Sequence, residues 1–323
     1  MSRRFVFGKN KPKPFISLWD TTKTSTGSSA NNQVKLPLLE SFPYRVDWGD
    51  GVTNVIASAS DVNLTHTYAA SGVYTIKILS PVKGFYFDNT GDRLKILKII
   101  DWGDYQFTGR SNLGGNFNGC ANLTLADVIG FPKVITSLRN VFGGCTSLTT
   151  INNLSMWDVS NVQLFISAFI NCSNFNDGGL SNWNTANMTN PSIMFQFAGK
   201  FNQPLNWNFS KVTTMANMFF YSGFNQSVSN WDVSKVTAMN DIFNGCGAFV
   251  QPLDAWNINK NVTMNNFMLN KTNYPPALWD AFLLKFKNCV VGTGRTQKAK
   301  TFQTYGKRTA ASQAAVDALL ADG

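Results

Sequence analysis

A phenylalanine recurs through the middle of the chain every 24 to 27 residues. Each one is followed three residues later by cysteine, alanine or serine, and a tryptophan recurs with a similar spacing. One copy of this length cannot bury its own apolar side chains, whereas stacked copies bury them as continuous columns. The period therefore predicts a solenoid of about six copies over residues 117–270. Its repeated aromatic positions are Phe117, Phe142, Phe169, Phe195, Phe219 and Phe243, closed by Phe267, and Trp157, Trp183, Trp207, Trp231 and Trp256.

Within each copy, the β-branched segments "SKVTTM" and "SKVTAM" favour an extended backbone, and the intervening Asn, Ser and Gly residues suit turns. We therefore expect one short strand per copy, with the strands of successive copies forming a parallel sheet. The tryptophans are expected to pack in the core more often than to form a contact surface.

Four of the five cysteines share one repeat position, which alanine and serine occupy in other copies. The position therefore requires a small residue and not a thiolate, which predicts a buried, reduced column. The mixed column does not suggest disulfide pairing, and the C-x₂-C spacing of zinc sites does not occur. The members are Cys120, Cys145, Cys172 and Cys246, with Ala198 and Ser222 in the equivalent places; Cys289 lies outside the column.

The copy "MFQFAGKFNQPLNWNFSKVTTMANMF" resembles the bacterial surface-protein leucine-rich repeats of the BspA type, nearly position by position. The resemblance covers residues 117–270. The copy from Phe117 departs from the pattern because it has no tryptophan, and the copy from Phe169 contains Pro191, where we expect a bulge. The resemblance implies a leucine-rich-repeat-like fold and a role in surface attachment.

The segment "YRVDWGDGVTNVIASASDVNLTHTYAASGVYTIKI" resembles a PKD-type domain, which implies an immunoglobulin-like β-sandwich over residues 15–84. Residues 15–46 would supply its opening strands, and the alternating "VYTIKI" is a strand pattern. The resemblance implies that Trp48 packs in the core and that Gly49 and Gly51 allow a tight turn. It also implies that Asp50 accepts hydrogen bonds from backbone amides and that His66 is a structural hydrogen-bonding residue. The signature residues of the pattern are Trp48, Gly49, Asp50, Gly51, His66 and Tyr68.

The sequence "DWGD" occurs twice, at residues 47–50 and again at residues 101–104. The second copy follows a strand predicted over residues 94–100 and is interpreted as the opening turn of an N-terminal cap, residues 85–116, in which residues 85–87 are also expected to form a strand. Asp47, Asp50 and Asp104 are weak calcium candidates, because the D-x-D-x-D-G spacing of calcium loops is absent. Asp104 is therefore expected to contribute stability, not activity.

After the repeats, the apolar spacing of residues 277–287 and 310–321 predicts two helices, which would cover the last copy. The predicted fold class is mainly β: an immunoglobulin-like (PKD-type) β-sandwich followed by a leucine-rich-repeat-like solenoid with a small helical C-terminal cap. The predicted units are a basic arm at 1–14, the sandwich at 15–84, the solenoid's N-terminal cap at 85–116, the repeats at 117–270 and a basic, partly helical cap at 271–323.

Motifs for catalysis are not apparent. The chain has one histidine, no nucleotide-binding glycine loop, and no carboxylate pair that stands out. The glycine-rich "VVGTGRTQK" lacks the G-K-[ST] ending of a phosphate loop and is interpreted as a flexible loop. We therefore predict a non-enzyme that needs no cofactor.

The net charge of +10 resides in the two ends of the chain, because the basic and acidic residues of the body are balanced. Such ends favour docking onto acidic partners, although solubilising charge is an equally good interpretation. A neutral body argues against nucleic-acid binding, and no apolar run is long enough to span a membrane. The N-terminal docking candidates are Arg3, Arg4, Lys9, Lys11 and Lys13.

These features predict a non-enzymatic structural or attachment protein. The start of the sequence does not read as a secretory signal, so we expect a phage virion component, namely a tail fibre, spike or capsid decoration. Its basic ends would bind other virion proteins, and its repeats would bind a host glycan or protein. Fibre and decoration proteins are often trimeric, so a homo-oligomer fits this prediction. The alternatives are a bacterial cell-surface adhesin of the BspA type and, from another class, a carbohydrate-active enzyme.

Overall fold

The structure is a computed structural model that describes residues 11–38, 40–108, 114–271, 273–293 and 308–321. Its first part contains a five-stranded sheet built from β1 (Phe15–Asp20), β3 (Tyr44–Asp47), β4 (Thr53–Ile56), β6 (Val73–Ile78) and β7 (Ile96–Asp101). The strand order is β4-β3-β6-β1-β7, and neighbouring strands pair antiparallel. Strand β2 (Gln33–Lys35) pairs with β5 (Thr65–Thr67) in a separate two-stranded sheet.

Alternation along the strands places one face of the large sheet in the core. In β1 every second side chain is buried, and Phe15 and Trp19 are almost fully covered. Val34 of β2 belongs to the same buried cluster, so the two sheets share a core. Residues 85–87, expected as a strand, are not one; instead the rings of Phe85 and Phe87 lie in this core, edge-on to one another.

Strand β7 joins the sheet to the repeats. It pairs antiparallel with β1 on one side, and on the other it meets the first repeat through parallel bridges from Lys98 to Thr124 and from Asp101 to Ile129. The strand predicted within the solenoid's cap is thus also the edge strand of the N-terminal sheet. Two further short strands, β8 (Gln106–Phe107) and β9 (Val134–Ile135), pair in parallel beside it.

Successive repeats are joined by backbone hydrogen bonds in a constant pattern. Alternate amides of one repeat donate to carbonyls of the next: Met215 to Ala238, Asn217 to Asn240, Phe219 to Ile242 and Tyr221 to Asn244. The expected multi-residue strand is not formed in these copies; single parallel bridges, such as Thr214 with Ala238, occur in its place. The extended run ends there because Asn217, three residues later, has a φ of 57°.

The bulge expected at Pro191 is likewise not formed among the described residues. The preceding repeat bonds to the coil of Pro191 in a constant register, because the amides of Phe165, Ser167 and Phe169 donate to the carbonyls of Asn190, Ser192 and Met194. The coil of Pro191 in turn bonds to the following repeat, beginning with the amide of Ile193, which donates to the carbonyl of Ala216. Proline has no N–H, so the coil loses the single bond that this position could have donated, and nothing more.

The repeated aromatic side chains form columns. The rings of Phe169, Phe195, Phe219 and Phe243 are nearly parallel, with neighbouring centroids 5.8 to 5.9 Å apart. Phe267 does not continue this column, because its ring is turned 82° from that of Phe243. Met268 is instead the equivalent of Phe243, because each lies two residues before a left-handed residue, Asn270 and Gly245 respectively.

The chain ends in two α-helices within the described residues, α1 (Pro276–Val290) and α2 (Gln313–Ala321), in agreement with the prediction. Phe282 of α1 stacks on Phe267 with centroids 5.5 Å apart, so α1 covers the last repeat. Buried Asp280 accepts hydrogen bonds from Thr309 and Ser312, which fixes the start of α2 against α1. In the part of the chain that the structure describes, no helix has the length and apolar character needed to cross a membrane.

Candidate functional site

The first D-W-G-D-G sequence forms the tight turn between β3 and β4. Asp47 accepts a hydrogen bond from the amide of Gly49, and Asp50 accepts one from the amide of Val52. Gly49 has a φ of 82°, and a Cβ there would lie 2.4 Å from the carbonyl oxygen of Thr75. The turn therefore needs glycine both for its backbone conformation and for its approach to β6.

The signature residues predicted in this region do come together. The Nε2 atom of His66 lies 2.7 Å from a carboxylate oxygen of Asp50, and its ring stacks on Trp48 at 4.8 Å. Tyr68 donates a hydrogen bond to the carbonyl of Trp48 and stacks on Tyr74. Burial alone would raise the pKa of Asp50, but the hydrogen bonds from His66 and Val52 lower it below its usual value. The cluster ties β5 to the turn.

The second D-W-G-D sequence holds the N-terminal segment. The amide of Lys13 donates to the carboxylate of Asp104 at 2.9 Å, and the amide of Asp104 donates to the carbonyl of Lys13 at 3.1 Å. Gly103 has a φ of 49°, and a Cβ there would lie 2.3 Å from the carbonyl oxygen of Pro14. This turn therefore clamps the chain that leads into β1.

The three calcium candidates are thus engaged in separate places. Asp47 also lies 3.8 Å from the ammonium group of Lys77, and Asp50 is bound to His66. Asp104 belongs to the clamp on Lys13. Among the described residues, no cluster of three or more His, Cys, Asp or Glu side chains could hold a metal ion.

A buried ion pair of Asp92 with Lys95 escaped the sequence analysis. Both side chains are fully covered, 3.3 Å apart, and the ammonium group also donates to the carbonyls of Ser29, Ala30 and Gln33. Burial lowers the pKa of Lys95, against the attraction of Asp92. The pair fixes the loop before β2 onto the segment that leads into β7. Two charged residues three positions apart give no sequence signal for burial, because the residues that bond to them lie 57 to 66 residues away along the chain.

The cysteine and tryptophan columns are internal. Cys145 and Cys172 donate to the carbonyls of Phe117 and Phe142 in the preceding repeats, and burial raises the pKa of Cys172 to about 12. The described cysteines are free, and the four column members are buried. The indole nitrogens of Trp183, Trp207, Trp231 and Trp256 donate in the same way to carbonyls of the preceding repeat, at 2.7 to 3.1 Å. The tryptophans therefore pack as core residues.

A polar ladder follows one side of the repeats. The side-chain oxygen of Asn176 accepts from the amide of Asn202 and from Gln203. In the next step, Asn202 accepts from the amide of Asn225 and from Gln226. The "FNQ" sequence of the repeats is explained by this ladder, in which each asparagine bonds to the next copy.

Each repeat also has two left-handed backbone positions, four residues apart. Glycine and asparagine predominate there, as expected for a positive φ. Ser167, Ile193 and Asp241 depart from this preference at the first position. Phe197 and Tyr221 depart from it at the second, with φ of 59° and 50°, and their side chains are 42% and 46% exposed. A left-handed conformation costs a non-glycine residue about 1–2 kcal/mol. Aligning the copies would have revealed both residues, because each takes the place of glycine or asparagine two residues after the repeated phenylalanine.

Only part of the basic ends can be placed. Lys11 and Lys13 are described, and Lys13 contributes its backbone to the Asp104 clamp. Arg3, Arg4 and Lys9 lie outside the described residues, as do residues 294–307 with most of the C-terminal glycine-rich segment.

Stacked copies joined by backbone ladders, short β-structure and a helical end define a repeat protein. The sequence matches the family described as "Mycoplasma protein of unknown function, DUF285" over residues 112–223 and 205–282. These matches cover more than half of the 323 residues, so the chain belongs to this family, which is related to the BspA-like repeat proteins. No curated protein and no solved structure matches the chain.

Proposed function

We propose that the chain is a non-enzymatic attachment protein, in which a BspA-like solenoid displays a rigid binding surface and a PKD-like sandwich is the docking module. The observation that carries this proposal is the backbone ladder that runs from β1 through β7 and onward across the repeats. A surface held by such a ladder loses little conformational freedom when it binds a partner. Repeat arrays of this kind suit recognition of extended surfaces.

The use of the polar side chains supports a binding role over catalysis. His66 and Asp50 bond to each other, Asp104 holds the N-terminal segment, and the cysteines of the column are buried within the repeats. Each group that could act as an acid, base or nucleophile in these places already has a structural partner. The polar ladder and the exposed aromatic residues lie on the surface, where a partner could reach them.

We propose a virion surface as the location, with Lys11 and the other basic residues of the ends facing acidic neighbours. The match to a Mycoplasma family favours a second candidate, an adhesin on a bacterial cell. Antibodies against the chain distinguish the two: the virion proposal predicts a signal in purified particles, whereas the adhesin predicts a signal on intact cells that protease treatment removes.

Attachment itself is tested with the purified full chain, fluorescently labelled, on cells of the bacterium that carries the gene or hosts the phage. We expect saturable binding that an excess of unlabelled chain displaces. Absence of saturable binding contradicts an attachment role. Reproducible release of oligosaccharides from the cell-surface polysaccharide would instead favour the carbohydrate-active enzyme.

A further inference from the structure

Two aromatic residues stand on the repeat surface at positions where the other copies have glycine or asparagine. Phe197 and Tyr221 have a left-handed backbone, which disfavours a large side chain. The equivalent residues are Gly119, Gly144, Asn171, Gly245 and Asn270. Backbone strain of this kind clusters at ligand sites, so the two rings are candidates for a binding role.

The rings lie together across neighbouring repeats. Phe197 and Tyr221 have centroids 6.0 Å apart, and Phe220 lies edge-on to Phe197 at 5.4 Å. The ring of Tyr221 packs so closely on Gly245 of the next repeat that a Cβ on Gly245 would lie 2.5 Å from the ring. The hydroxyl of Tyr221 accepts a hydrogen bond from the side chain of Asn270. We call Phe197, Phe220 and Tyr221 the aromatic strip. It runs along the stacking direction of the repeats.

The size of the strip fits a small ligand. An aromatic side chain has on the order of 200 Å² of surface, and Phe197 and Tyr221 are each a little less than half exposed. The two rings therefore offer roughly 200 Å² together, far below the ~800 Å² per partner of a stable protein interface. A second protein would need much more contact than these rings supply.

The chemistry of the strip fits a neutral sugar. Its rings contact one another, the backbone of Gly245 and the uncharged amide of Asn270. Aromatic faces carry partial negative charge and attract the C–H groups of a pyranose ring. Amides and the phenol hydroxyl can both donate to and accept from sugar hydroxyls. A charged ligand would find no matching charge among these contacts.

We propose that the aromatic strip binds a neutral glycan, with pyranose rings stacked on Phe197 and Tyr221 and a sugar hydroxyl donating to the side-chain oxygen of Asn270, whose nitrogen already donates to Tyr221 and Asn244. The site rests on the proposed attachment function, since it specifies which ligand the repeat surface takes. Its direction along the stack would align a linear glycan with successive repeats.

The test compares three forms of the full chain on an array of neutral and anionic glycans, followed by calorimetry with the neutral oligosaccharide that binds best. The first form is wild type and the second is Phe197→Asn with Tyr221→Asn, which restores the residue of other repeats. The third is Ile193→Asn, because Ile193 has a φ of 65° in the same repeat and asparagine is already present at this position in other copies. Thermal unfolding of each form checks that it is folded.

We expect wild type and Ile193→Asn to bind the same neutral glycans, and the double variant to bind them at least about tenfold more weakly with an undiminished unfolding temperature. Two outcomes overturn the site: wild type binds no neutral glycan on the array, or the folded double variant binds as well as wild type. If wild type attaches to cells but binds no neutral glycan, the glycan site is disproved and the attachment function stands. If wild type binds a neutral glycan through the strip but attaches to no cell, the glycan site stands and the attachment function is disproved.

Discussion

Asp50 holds the first turn through both of its carboxylate oxygens, because one accepts a hydrogen bond from the Val52 amide and the other bonds to His66. These bonds lower its pKa against the opposing effect of burial. A lowered folded-state pKa means that the ionised form is favoured in the native state. The contribution of Asp50 to stability is complete above the unfolded-state pKa of about 3.9, and it is lost as the pH falls through the lower folded-state pKa.

We therefore expect Asp50→Asn to reduce the free energy of unfolding at neutral pH by about 1 kcal/mol, a modest figure because the carboxylate is 22% exposed and partly screened by solvent. The deficit should shrink as the pH falls below about 4. Denaturant titrations at neutral and acidic pH measure it, with Asp254→Asn, an exposed aspartate of the repeats, as the control. A deficit that is the same at every pH would mean that the substitution acts through packing.

At the scale of elements, the turn after β7 determines where the N-terminal segment enters the sheet. Asp104 receives the amide of Lys13 and returns its own amide to the same residue. We expect Asp104→Ala to cost about 1–2 kcal/mol of stability, and Asp104→Asn less, since the asparagine oxygen can still accept the bond. Hydrogen exchange at the Lys13 amide gives the direct measurement, and unchanged protection in Asp104→Ala would contradict the clamp.

The elements also show what the sequence could predict and what it could not. The repeat period predicts the aromatic columns, and the helical spacing of apolar residues predicts the terminal helices, because both features depend on spacing along the chain. The single bridges in place of strands depend on left-handed residues such as Asn217, which the β-branched pattern does not reveal. The sequence pattern predicts Phe267 as the repeated phenylalanine of the last copy, which is one residue out of register with the structure. The structure instead puts Lys271 at the cysteine position and Tyr274 above Phe249.

For the whole molecule, the decisive feature is that the N-terminal sheet and the repeats share β7. The sequence predicts two modules with a cap between them. In the structure, β7 is hydrogen-bonded both to β1 of the N-terminal sheet and to the first repeat. The Lys98 side chain strengthens the same junction through an ion pair with Asp127 of the first repeat. Interactions between linear repeats are otherwise local, so the two ends of the array should respond differently to destabilisation.

This difference can be measured. Ile99 is a fully buried residue of β7, so Ile99→Ala should cost about 2–5 kcal/mol and weaken both neighbours of the strand. We expect faster hydrogen exchange in β1 and in the first repeats together. Leu253→Ala removes an equally buried side chain from a late repeat, and its effect should remain with the last repeats and α1. If Ile99→Ala exposed β1 alone and left the amides of Thr124 and Ile129 protected, the sheet and the repeats would be independent units, and the shared strand would not couple them.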